Sequence, residues 1–148
     1  MMGRQERFAL LPSLGLLALA AVMLILGACS PAPTATGQAA SVAALPREIS
    51  AKEALAKRQA GAFVLDVRDQ WEWNEYHVPN STLIPLAQLP SRLSELPRDR
   101  EIVVVCRSGN RSATGRDILM KAGFPSVTSL GGGLLGWRSS QYPTVTGP

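Results

Sequence analysis

Four consecutive β-branched apolar residues, Ile102-Val103-Val104-Val105, constrain this chain more than any other stretch. Such side chains favour extended backbone. Successive strand residues point to opposite faces, so all four are hidden only when both faces of the sheet are covered. That is the condition of a parallel sheet with helices above and below. Shorter runs share the character: 62–67 (AFVLDV), 82–84 and 126–129. Helix-forming stretches separate them. Ser50-Ala-Lys-Glu53 is a capping box, and Gly61 is placed to end the helix it opens. Residues 69–76 read as a helical turn broken by Pro79, and 87–96 as a helix with Pro90 in its first turn. Residues 111–122 read as a helix closed by Gly123, and 131–137 turn into a short last helix. The alternation predicts a single α/β domain, a parallel sheet with helices on both faces. In such sheets the working site lies beyond the carboxyl ends of the strands.

The strand leads straight into Cys106-Arg107-Ser108-Gly109-Asn110-Arg111-Ser112. With a helix expected from about Arg111, the chain must curl tightly, and Gly109 and Asn110 tolerate left-handed backbone angles. A curled loop feeding a helix turns several N–H groups inward, a nest for an anion at the positive helix end. A sulfur centred there has its thiolate favoured, because helix N-termini and cations pull a cysteine pKa below its ordinary value of about 8.5. Arg107 and Arg111 flank the mouth and suit an anionic substrate. The bland alternative is a small core residue ending a strand. A core cysteine has no use for a Gly-Asn turn, two arginines and a helix start in the next six positions, so the reactive reading is preferred.

The chain has 148 residues and two cysteines. The other, Cys29, closes a different kind of segment. Arg4 and Arg7 precede an apolar run from Phe8 to Ala28 that ends in small residues, the pattern of an export signal. Leu26-Gly27-Ala28-Cys29 resembles the lipobox of bacterial lipoproteins, which implies removal of residues 1–28 and acylation of Cys29. An uncleaved membrane anchor is the alternative, since about 20 apolar residues span a bilayer. Both readings put the remainder outside the cytoplasm, anchored at a bacterial membrane. Residues 29–46 are expected to be the lipidated cysteine and a Pro/Ala/Thr/Ser tether, and 47–148 one domain with a modest core. With Cys29 acylated, Cys106 has no disulfide partner. An unpaired thiol in an oxidising compartment is a liability unless buried or used. Fifteen basic and eleven acidic residues give a net charge of +4. They are interspersed, which argues against a nucleic-acid partner.

The Cys106 loop resembles the active-site loop of rhodanese-domain sulfurtransferases, whose thiosulfate-using members carry a Cys-Arg-x-Gly-x-Arg or -Thr pattern. Leu65-Asp66-Val67-Arg68 followed by Glu72 is similar to that family's first signature. His77-Val78-Pro79 with Ile84-Pro85-Leu86 is similar to its His-Ile-Pro-Gly-Ala…Ile-Pro segment, and Leu130-Gly-Gly-Gly133 with Gly136-Trp137 to its C-terminal element. Together these span residues 48–138 in family order. Asn80 departs from the family's glycine, but asparagine also accepts left-handed angles.

The resemblance implies a rhodanese-like fold and a Cys106 that carries sulfur. Its thiolate attacks the outer sulfur of thiosulfate or a similar small anion, sulfite leaves, and cyanide or a thiol acceptor takes the sulfur from the persulfide. Residues 107–112 (Arg107, Ser108, Gly109, Asn110, Arg111, Ser112) would hold the donor, the two arginines orienting the anion. No metal or organic cofactor is implied. Asp66, Arg68 and Glu72 read as a structural ion-pair network bracing the sheet edge, His77 as a hydrogen-bonded scaffold residue, and Trp71, Trp73 and Trp137 as packing, with one of them able to wall the pocket. One rival is a cysteine phosphatase or arsenate reductase. Those enzymes place five residues between cysteine and arginine where this chain has four. Another is a non-catalytic tethered module that carries sulfur or binds a partner. A mercaptopyruvate enzyme is disfavoured by Arg107, where such loops typically have glycine.

Overall fold

The computed structural model describes residues 45–147. The expected signal peptide (1–28), Cys29 and all but the last two residues of the 29–46 tether lie outside the described residues. The Ile102–Val105 run is the central strand of a five-stranded parallel sheet. In chain order the elements are β1 (Glu48–Ile49), α1 (Ala51–Gln59), β2 (Phe63–Asp66), α2 (Gln70–Glu75), β3 (Thr82–Leu83), β4 (Ile102–Val105), α3 (Asn110–Lys121), β5 (Val127–Leu130) and α4 (Gly133–Ser139). The strand order is β1-β5-β4-β2-β3, and every pair is parallel.

Both faces of β4 are covered, as its sequence demands. Ile102, Val104 and Cys106 lie on one face with Leu65, Val67 and Leu119. Val103 and Val105 lie on the other with Val64, Leu134 and Trp137. All four β4 residues are buried, and each apolar side chain so hidden is worth roughly 1.5–3 kcal/mol relative to exposure. That burial pins the strand whose last residue precedes Cys106.

The local signals at α1 act as expected. The Ser50 and Glu53 amides are bonded by each other's side chains at 2.9 and 3.3 Å, and Gly61 follows the helix at φ +95°. Asn80 takes the left-handed angle, φ +61°. Two expectations are corrected. Residues 87–96 form no α-helix but two 3-10 turns, Leu89–Ser91 and Leu93–Glu95. Pro90 has no N–H to return to Leu86, whose carbonyl instead accepts from Leu89 at 3.3 Å; the tighter turns sink both Leu89 and Leu96 into the core. Asn110 is not left-handed: it opens α3, and Gly109 alone carries the turn, φ +107°. The α2 helix falls within the expected 69–76 and ends at Tyr76, ahead of Pro79, where the chain goes extended and His77 forms a bridge with Val145.

Candidate active site

Val105 delivers Cys106 to the carboxyl end of the sheet, and α3 begins four residues later. The turn between them folds back on the sulfur. The Gly109 N–H donates to Cys106 Sγ at 3.1 Å. The thiol lies 3.6 Å from Ser112 Oγ, whose own proton goes to the Gly109 carbonyl at 2.7 Å. Cys106 and Ser112 are buried, while Arg107, Ser108 and Asn110 are exposed. The sulfur therefore sits at the floor of a polar loop, beside the N-terminus of a twelve-residue helix, where backbone dipoles favour negative charge.

A second loop clasps this one from below. Leu134 and Leu135 at the start of α4 donate to the carbonyls of Cys106 and Arg107 at 2.8 and 3.0 Å. Gly133 makes the approach possible. A Cβ there would lie 2.5 Å from the Cys106 carbonyl oxygen and from the Arg107 carbonyl, and the residue sits at φ +57°. The glycine run thus supports the cysteine loop.

The carboxylates and arginines sort into two groups, Asp66 with Arg68, and Glu72 and (at 3.4 Å) Asp69 with Arg111. Arg68 and Asp66 form a fully buried fork, with Arg68 Nε and Nη2 donating to Asp66 at 2.7–3.0 Å and Nη2 also reaching the Tyr76 carbonyl at 2.7 Å. Burial pushes the Asp66 carboxyl above its usual range, and Arg68 opposes the rise. Glu72, expected to join this network, points elsewhere: Arg111 Nη1 and Nη2 donate to its two oxygens at 2.7 and 2.8 Å. Burial works to raise the Glu72 carboxyl, but the bonds from Arg111 and the Asp69 amide outweigh it and hold it below its ordinary value. The Arg111 guanidinium, bonded to Glu72, is held more firmly charged than usual. Sequence spacing placed Arg111 at the loop mouth; the fold joins it to α2.

His77 is buried, with its Nδ1 3.1 Å from the Trp73 carbonyl and its ring stacked 3.7 Å from the Trp73 ring. Its backbone pairs with Val145. Trp137 is buried and donates from Nε1 to the Pro143 carbonyl at 3.0 Å. Trp71 is different: it is 62% exposed and lines a cavity of about 300 Å³ with Arg107, Arg138, Glu75, Tyr76 and Leu135. Among the described residues neither Arg107 nor Arg138 is in an ion pair. Arg138 lies over the Tyr76 ring, 4.3 Å from its centroid. Sequence reading passed over Arg138 and Tyr76, whose place beside Arg107 depends on α4 docking near α2.

The family signature for the rhodanese-like domain matches residues 50–140. The chain is 34% identical over 96 residues to a sulfurtransferase of Allochromatium vinosum, covering 63% of this chain and 90% of that protein. It is 34% identical over 100 residues to the thiosulfate sulfurtransferase GlpE of Pseudomonas syringae, covering 68% and 93%. The crystal structure of a rhodanese-related protein from Thermoplasma volcanium superposes with a TM-score of 0.63 at 33% identity, over 68% of this chain and 98% of that one. A cysteine loop closing the central strand of a parallel sheet, a matching family signature and relatives covered over nearly their whole length lead to one assignment: this chain belongs to the rhodanese-like sulfurtransferase family.

Proposed function

We propose that the domain transfers sulfane sulfur from thiosulfate, or a similar small anionic donor, through a persulfide on Cys106 to cyanide or a thiol. The Cys106 thiolate attacks the outer sulfur of the donor. A Cys–S–S bond forms, the donor S–S bond breaks, and sulfite leaves with the electron pair. The acceptor then attacks the outer persulfide sulfur, and the electron pair returns to Cys106. The observation that carries this reading is the Gly109 N–H aimed at Cys106 Sγ from 3.1 Å, in a loop that opens a helix. Arg107, exposed and unpaired among the described residues, receives the donor anion. Arg111 contributes by holding the loop to Glu72. The test is mass spectrometry of the protein before and after thiosulfate. One extra sulfur on wild type and none on Cys106→Ser supports the reading; an unmodified wild type overturns it.

We further propose that Cys29 is acylated and tethers the domain to the extracytoplasmic side of a bacterial membrane, on the strength of Leu26-Gly27-Ala28-Cys29 after an apolar run. Cys29→Ser then releases the protein from membranes or leaves it unprocessed. Recovery of residues 1–28 on the membrane-bound wild type contradicts it.

A further inference from the structure

The Cys106 loop occupies the carboxyl end of the sheet; the amino end has its own chemistry. There α1 closes with Lys57 and Arg58, α3 closes with Lys121, and Arg98 and Arg100 precede β4. These segments contribute two acidic residues, Asp99 and Glu101, and Glu101 is paired with Lys57 at 2.9 Å. Residues 45–147 carry thirteen basic and ten acidic side chains; with the Arg47–Asp117 pair counted, six and three of them are at this end, leaving seven of each elsewhere. The excess positive charge of the domain is thus gathered at one end.

Helix dipoles account for part of the gathering, since cations are favoured at helix C-termini. Lys57, Arg58 and Lys121 fit that account, and so does Arg98, whose guanidinium meets the Ala122 and Gly123 carbonyls at 3.3–3.4 Å. Arg100 does not. It is exposed, lies 5.2 Å from the Phe63 ring centroid and belongs to no ion pair among the described residues. With Arg58, Asn80 and Phe63 it lines a cavity of about 430 Å³ that has no carboxylate in its wall. A second cavity of about 260 Å³ adjoins it through Gly61, Ala62 and Arg100 and brings in the Lys57–Glu101 pair.

The chain enters the domain at this same end. Thr128 Oγ1 donates to the Pro46 carbonyl at 2.8 Å, and the Ser129 amide to the Arg47 carbonyl at 3.1 Å. Residues 46–49 therefore climb beside β5, with Glu48 opposite Ser129 and Ile49 opposite Leu130. Followed backward, the chain leaves beside the start of β5, at the amino end of the sheet.

We propose that this end is a docking surface for an anionic phospholipid bilayer, with the Arg58–Arg100 cavity receiving a headgroup phosphate. The domain then stands on the membrane with the Cys106 loop facing away from it. Basic residues at an anionic surface each add attraction that decays within a Debye length of about 8–10 Å. The inference rests on charge and, through the proposed anchoring, on chain direction; its vesicle-binding arm needs neither the sulfur chemistry nor acylation of Cys29, while its Cys106-loading arm rests on the proposed sulfur transfer.

The test uses the unlipidated 45–147 domain, a unit that folds alone in the Thermoplasma volcanium protein, 98% of whose chain it matches. Sedimentation is measured with phosphatidylglycerol and with phosphatidylcholine vesicles at low and high salt. Binding to the anionic vesicles alone, lost at high salt, is expected. Arg58→Glu with Arg100→Glu lowers partitioning at least about tenfold, while Lys52→Glu with Arg92→Glu, an equal charge change elsewhere, leaves most of it. Thiosulfate-dependent loading of Cys106 proceeds unchanged on vesicles. No binding to anionic vesicles at low salt, equal losses from the two double variants, or a Cys106 shielded from thiosulfate by vesicles each overturn the proposal.

Discussion

Arg111 grips both carboxylate oxygens of Glu72, at 2.7 and 2.8 Å, and so ties the first turn of α3 to the first turn of α2. The pair joins residues 39 positions apart and holds the far side of the cysteine loop. Its placement gives Arg111 a positioning role to set against the expected donor-binding one, and the two separate experimentally. Arg111→Ala and Glu72→Gln are expected to lower kcat together and to destabilise the domain by about 1–2 kcal/mol. That is less than for a fully buried pair, because a third of the Arg111 side chain is exposed. Steady-state transfer and urea unfolding of both variants check this. An Arg111→Ala enzyme with wild-type stability and only a raised KM for the donor would restore the binding role.

The same pair sets an acid limit. The Glu72 carboxyl is held below its ordinary value of 4.5 in the folded state. A depressed carboxylate contributes stability that is complete above the unfolded value and is lost as pH falls through the folded one. Wild type is therefore expected to exceed Glu72→Gln in stability by a constant amount above about pH 5.5, with the difference closing as the pH falls past 4.5. Melting temperatures of both proteins across that range decide it; a difference that stays constant into acid contradicts the assignment.

Gly133 cannot carry a side chain. Left-handed backbone alone costs a non-glycine residue roughly 1–2 kcal/mol, and the added Cβ meets the Cys106 and Arg107 backbone at 2.5 Å. Gly133→Ala is expected to lower the melting temperature by several degrees and to cut transfer more than about tenfold, because the clash displaces the cysteine loop itself. Gly61→Ala, with φ +95° but open space around it, serves as the control: it loses stability and keeps activity.

Cys106→Ser is expected to abolish transfer while the domain stays folded, since an alcohol forms no persulfide and the substitution changes little volume. Arg107→Ala leaves the Gly109 N–H on the sulfur in place. Loss of one charge-assisted contact, typically about 1.5–3 kcal/mol, corresponds to a drop in kcat/KM for thiosulfate of roughly tenfold to a hundredfold. Arg107→Lys recovers part of it, because a point charge cannot reproduce the guanidinium fork. Wild-type kinetics in Arg107→Ala would remove the residue from the donor site.

Much of the fold was legible because its signals are local. The unbroken Ile102–Val105 run demands two covered faces and obtains them. Ser50 and Glu53 cap α1 through bonds three residues apart, and the likenesses around Cys106, Asp66 and Gly131–Gly133 lie in runs of neighbouring residues. The sequence alone thus determined a parallel α/β sheet and the position of its cysteine at a strand end. Tertiary structure decided which charge meets which. Glu72 lies four residues from Arg68 in sequence, yet it faces Arg111, because the turn of α2 carries its carboxylate away from the Asp66–Arg68 fork and toward the start of α3. Long-range contact also decided how the glycine run is used. Leu134 and Leu135 reach the Cys106 and Arg107 carbonyls only once β5 lies beside β4 and α4 folds back beneath the loop. Capping and burial patterns are written in residues a few positions apart, whereas a partner across the sheet is selected by the packing that brings two distant segments within hydrogen-bonding reach.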